Sequence, residues 1–158
     1  MNINIICVGK LKEESVKAAV SEYEKRLSRF CKMNVTVISD KPIPEKATKA
    51  ECEGILTSEG EQILKKIGKN DTVVAMCIEG KQLSSEELSE KMNEFFMHSK
   101  AVDFVIGGSL GLSEEVKKRA DFKLSMSKMT FPHNLARLIL TEQIYRAFKI
   151  NANEAYHK

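Results

Sequence analysis

A chain of 158 residues, 42% apolar and 30% charged, is long enough to bury a core as one domain and has the composition of an ordinary soluble protein. No apolar run approaches the roughly 20 residues needed to span a bilayer. The net charge of +3 is below what a domain held to nucleic acid by electrostatics alone carries.

Residues 3–8 form a short apolar run closed by Gly9, which reads as a buried strand. They begin without the basic region, apolar stretch and small-residue cleavage site of a secretory signal, so a cytosolic protein is expected. Residues 13–29 place Val16, Ala19, Val20, Tyr23 and Leu27 at helical spacing. Val35, Val37 and Ile38 give a second strand, ended by Asp40-Lys41-Pro42-Ile43-Pro44. A helix is predicted over about 48–67, with Gly68 placed to stop it, although Gly54 and Gly60 interrupt its pattern. A third strand runs from Thr72 to Ile78. Ser84 with Glu87 fits a capping box opening the next helix, whose buried side is Leu88, Met92, Phe95 and Phe96. A fourth strand, Val102 to Ile106, ends at Gly107-Gly108. A brief helix over about 113–119, a fifth strand over about 122–126 and a last helix from near Pro132 to about Phe148 complete the chain. Strands alternating with helices throughout predict a single α/β domain, 1–158, with a mainly parallel sheet.

The cysteines, Cys7, Cys31, Cys52 and Cys77, show no CxxC or zinc-knuckle spacing. They read as reduced structural thiols, and no metal is expected.

Chemistry concentrates after residue 100. Ile106-Gly107-Gly108-Ser109-Leu110-Gly111 follows a strand, where parallel sheets bind ligands and glycine lets backbone amides come close. It reads equally as a tight turn. Gly9 stands alone after the first strand and no Walker-type sequence is present, which disfavours ordinary dinucleotide and ATP sites. The stretch Leu124-Ser125-Met126-Ser127-Lys128-Met129-Thr130-Phe131-Pro132-His133 suits a loop holding a ligand with a polar edge and flat apolar faces, or a purely structural loop. In the last helix, Leu135, Leu138, Ile139 and Tyr145 form one apolar face, while Ala136, Leu140, Ile144, Ala147 and Phe148 cover the other. Burial on two sides points to a second subunit as one cover. Glu142 falls within the first face and needs a partner, for which Arg137 and Arg146 are candidates, or a catalytic role. His133 and His157 are candidate proton handlers. Tyr156-His157-Lys158 is either a frayed tail or a group that stacks on a base and holds its phosphate.

At these residues the chain resembles the small SPOUT-class, trefoil-knotted methyltransferases of bacterial large-subunit ribosomal RNA. The resemblance spans the chain. It is strongest in Phe-Val-Ile-Gly-Gly-Ser-Leu-Gly-Leu, in Leu-Ser-Met-Ser-Lys-Met-Thr-Phe-Pro-His, in Glu-Gln-Ile-Tyr-Arg-Ala-Phe and in the terminal Tyr-His-Lys, and weak over about 40–58. It implies a C-terminal knot and S-adenosylmethionine held at Met76, Gly107 and Leu124, Ser125, Met126, Ser127, Lys128 and Met129. It implies a homodimer whose site is completed by the partner's tail, acting on N3 of a pseudouridine in the assembled ribosome. On that basis His133 or His157, oriented by Glu142, assists loss of the N3 proton, Tyr156 positions the base, and Lys158 or Arg137 holds a phosphate. The rivals are a non-catalytic ribosome-binding dimer and a small-molecule phosphate enzyme using Gly107 and Gly108.

Overall fold

The computed structural model of the chain describes residues 1–156; His157 and Lys158, both assigned roles above, lie outside the described residues. Among those described, the elements alternate as β1 (Asn2–Val8), α1 (Glu14–Leu27), β2 (Lys32–Ile38), α2 (Lys49–Leu64), β3 (Thr72–Gln82), α3 (Ser85–His98), β4 (Ala101–Ile106), α4 (Glu114–Arg119), β5 (Phe122–Ser125) and α5 (His133–Asn151). The strands form one parallel sheet in the order β2-β1-β4-β3-β5, as the alternation predicts.

The period-2 pattern of the strands builds two cores. Ile3, Ile5, Phe104 and Leu124 face α1, α3 and α5, while Ile6, Val8, Val73 and Val105 face α2 and α4. β4 is buried at every position, as a central strand covered on both sides must be. Each such aliphatic side chain contributes about 1.5–3 kcal/mol relative to exposure.

The crossovers toward β2 carry α1 and α3 on one face, and those toward β5 carry α2 and α4 on the other. All four therefore share one hand, as parallel crossovers require. After β5 the chain leaves the α2/α4 face and returns as α5 to pack between α1 and α3. That return takes it past the β3–α3 connection. There the register breaks between Met76 and Lys81, and Lys81 and Gln82 pair anew with Leu124 and Ser125. This second pairing makes β3 longer than the run to Ile78 expected from sequence.

Local signals explain the helix starts. The Ser84–Glu87 capping box is present, and Thr48 with Glu51 forms a second one, which opens α2 in a weakly patterned stretch. α2 ends at Leu64, short of Gly68. Gly68 serves a different purpose: its N–H donates to the buried Asp103 carboxylate at 3.2 Å, which also accepts from Asn4 Nδ2 at 2.6 Å. No helix among the described residues is long and apolar enough to cross a membrane.

In α5, Leu140, Thr141, Ile144, Tyr145, Ala147 and Phe148 are buried in the chain's own core. Tyr145 thus belongs to the core side, against Tyr23 and Phe30, and not to the Leu135 face assigned from periodicity. On that second face Leu135 remains 39% exposed, and Leu138, Ile139 and Glu142 are half-buried.

Candidate active site

A cavity of about 410 Å³ opens where β3, β4 and β5 end, a size suited to a small-molecule ligand. Its first wall is Met76 with Cys77, Ile78 and Glu79 in the register break. Its second is the turn from Gly107 to Gly111, closed by a bond from Gly111 N–H to the Gly108 carbonyl at 3.0 Å. A Cβ on Gly107 would lie 2.3 Å from the Gly111 carbonyl oxygen; this is backbone against backbone, so neither side can give. The third wall is Leu124, Ser125, Met126, Ser127 and Met129. This loop braces itself: Ser125 Oγ donates to the Ser127 carbonyl at 3.0 Å, and Met129 N–H donates to Ser127 Oγ at 3.0 Å. Lys128 is exposed and stands outside the lining.

His133 opens α5 at the edge of this cavity. Gly9 has φ +91, and a Cβ there would sit 2.9 Å from His133 Nε2. The left-handed backbone and the missing side chain together give the imidazole its place.

Lys117 and Glu79 also line the cavity and form an ion pair. The hydrogen bond from Lys117 holds the Glu79 carboxyl below its usual range, and Glu79 raises the Lys117 ammonium in turn. The sequence signals only the local Glu114–Lys117 spacing. The partner that matters comes from another strand and was missed.

Three predicted residues gather elsewhere. Glu142 accepts from Arg146 Nη2 at 2.6 Å, from Gln143 Nε2 at 2.7 Å and from Tyr156 Oη at 3.2 Å. The Tyr156 ring stands edge-on to Tyr145 at 4.9 Å, with the Arg146 guanidinium 4.7 Å from its centre. Burial, then a bond with Tyr23 and the charge of Glu142, push the Tyr156 phenol well above its ordinary value. In this arrangement its hydroxyl is a donor to Glu142. Glu154 is tied to Arg29 and Lys149, so the tail as far as Tyr156 is anchored and not frayed.

Glu142 lies roughly 13 Å further along the α5 axis than His133 and on the opposite side of the helix. Within one chain it does not orient His133. Arg137 turns inward within the chain. Its side chain is only 11% exposed and paired with Glu24 at 3.4 Å, its Nη1 lies 3.9 Å from Cys7 Sγ, and it does not line the cavity.

The family described as "Predicted SPOUT methyltransferase" matches residues 1–157. The chain is 54% identical over 159 aligned positions to the ribosomal RNA large subunit methyltransferase H of Clostridium novyi, covering 100% of both. It is 50% identical, again with 100% of both covered, to the protein of the same name in Clostridioides difficile. Among solved structures, a probable methylase family protein from Haemophilus influenzae superimposes over 99% of this chain and 70% of that one, with a TM-score of 0.56 at 12% identity.

Proposed function

Because the chain belongs to the SPOUT methyltransferase family, we propose that it transfers the methyl group of S-adenosylmethionine to N3 of a pseudouridine in large-subunit ribosomal RNA. It works in the cytosol, on the assembled ribosome and as a homodimer. The relatives that match it end to end carry the name of a large-subunit ribosomal RNA methyltransferase. The observation that carries the reading is the cavity itself. Three strand-end loops surround it, and at Gly107 the wall leaves no space for even a methyl group. Such a wall offers main-chain groups to an adenine edge and a carboxylate, while Leu124, Met126 and Ile78 offer apolar surface to the flat faces.

S-adenosylmethionine supplies a methyl carbon already made electrophilic by its sulfonium, so the chain must bind, align and take up a proton. His133 stands at the cavity edge and is the described residue placed to accept the N3 proton, with His157 as the alternative. Tyr156, held as a donor on Glu142, positions the base, and Lys158 meets a phosphate. In one chain His133 and Tyr156 lie toward opposite ends of α5. A second copy brings one chain's tail to the other's cavity, and the half-exposed Leu135, Leu138 and Ile139 face of α5 is the surface it would cover.

Two experiments test this. Titration with S-adenosylmethionine, followed by mass mapping of ribosomal RNA from a deletion strain, should show binding and one lost methyl on a large-subunit pseudouridine. Intact ribosomes should be methylated far faster than naked RNA; equal rates would contradict the assembled-substrate claim. For the composite site, inactive His133→Ala and Tyr156→Ala proteins are mixed after subunit exchange. About a quarter of wild-type activity should return, since half the dimers are mixed and each then holds one intact site. No recovery in dimers shown to have exchanged would mean that both residues serve the same site from one chain.

A further inference from the structure

We infer that the connection between β1 and α1 is a phosphate-binding rim of the active site, on which Lys10 and Lys12 hold the sugar–phosphate backbone of the substrate RNA over His133. This rests on the reading of RNA as the substrate.

Two tethers fix the connection against the start of α5. At one end Gly9 lies under the His133 ring, close enough that a Cβ would be 2.9 Å from Nε2. At the other, Asn134 Nδ2 donates to Glu13 Oε1 at 2.9 Å. The residues between are thereby held beside two consecutive residues of α5, one of which lines the cavity. Leu11 is half-buried beneath, while Lys10 and Lys12 are exposed. The neighbouring acids are engaged: Glu13 with Asn134, and Glu14 with Lys17 at 2.7 Å. Among the described residues neither lysine forms an ion pair, which leaves the two ammonium groups to meet an external anion. The loop that forms the third wall carries a further exposed cation, Lys128.

The rim is open, and nothing encloses the lysines as a small anion's site would. Point charges on long exposed stems, fixed at one end and mobile at the other, suit a polyanion that lies across them. In a chain whose net charge is only +3, lysines placed where the base must be seated spend their binding energy on alignment.

The test is the double variant Lys10→Gln/Lys12→Gln, with Lys65→Gln/Lys69→Gln, in the connection that leads into the start of β3 at the opposite end of the strands, as a control for net charge. S-adenosylmethionine affinity and melting temperature should be unchanged in both. In the rim variant, KM for ribosomes should rise about tenfold near 0.1 M salt. The slope of log kcat/KM against log salt should flatten by about 2, the value for two lost phosphate contacts, with kcat within twofold. An unchanged slope in the rim variant, or an equal change in the control, overturns the inference. If the wild-type protein transfers no methyl group to RNA at all, the proposed function falls first and this rim with it.

Discussion

At its N-terminal end, α5 meets the cavity through a histidine pressed against a glycine, in a wall made mostly of main chain and small residues. At its C-terminal end the same helix carries Glu142, Arg146 and Tyr156, locked together by side-chain bonds and ring contacts. The first end is specified by what is missing, since an added methyl group has nowhere to go. The second is specified by partners, and losing one atom leaves the others in place. A binding wall built from backbone should therefore fail abruptly on substitution, and a side-chain network should fail by degrees.

The largest effect is expected at the cavity. Gly107→Ala places a Cβ against the Gly111 carbonyl and should weaken S-adenosylmethionine binding at least about 100-fold, or about 2.7 kcal/mol. Isothermal titration measures this, with circular dichroism confirming that the sheet persists. Affinity within tenfold of wild type would break the comparison, because the wall would then have yielded.

A smaller effect is expected at the tail. Tyr156→Phe removes the hydroxyl from Glu142 but keeps the ring against Tyr145 and Arg146. Turnover on ribosomes should fall about tenfold, or 1.4 kcal/mol, with cofactor affinity within twofold. A matching loss of cofactor affinity would show that the two ends are not separable.

The smallest effect sharpens the picture from beneath the cavity. Glu59, 4% exposed, accepts from Lys41 N–H at 3.3 Å and lies under Gly108. Burial pushes its carboxyl above the ordinary 4.5. The folded chain therefore favours the neutral acid, and this group's contribution to stability is full at low pH and declines as pH rises from 4.5 through the raised value. Glu59→Gln keeps the acceptor without the charge. Its urea midpoint should gain on wild type as pH rises from 4 to 7, and a constant difference across that range would remove burial of charge as the cause.

Much of the frame is legible in the residues because its causes are local. Alternating strands and helices, the Ser84–Glu87 cap and the two-sided pattern of α5 all follow from spacing within a few positions. Arg146 was among the partners that spacing offered Glu142, and it is the one found. The features that escaped depend on distant parts of the chain. Lys117 finds Glu79 across the cavity wall, Arg137 turns inward to Glu24 and Cys7, and β3 continues past Ile78 only because β5 offers it a second register. Tyr145 lay at the border between two helix faces, where an increment of about 100° per residue cannot choose; the aromatic rings of Tyr23 and Phe30 chose for it.

The passage of the C-terminal segment beside the β3–α3 connection has a bearing on when the protein can begin to work. A nascent polypeptide that has emerged as far as β4 already owns two of the three loops, yet it has no place to keep a methyl donor. That place comes into being only once β5 and the loop to Met129 have been synthesised and paired with the earlier strand. The ability to hold the donor is thus a late acquisition of the growing chain, gained when its third loop closes on the first two.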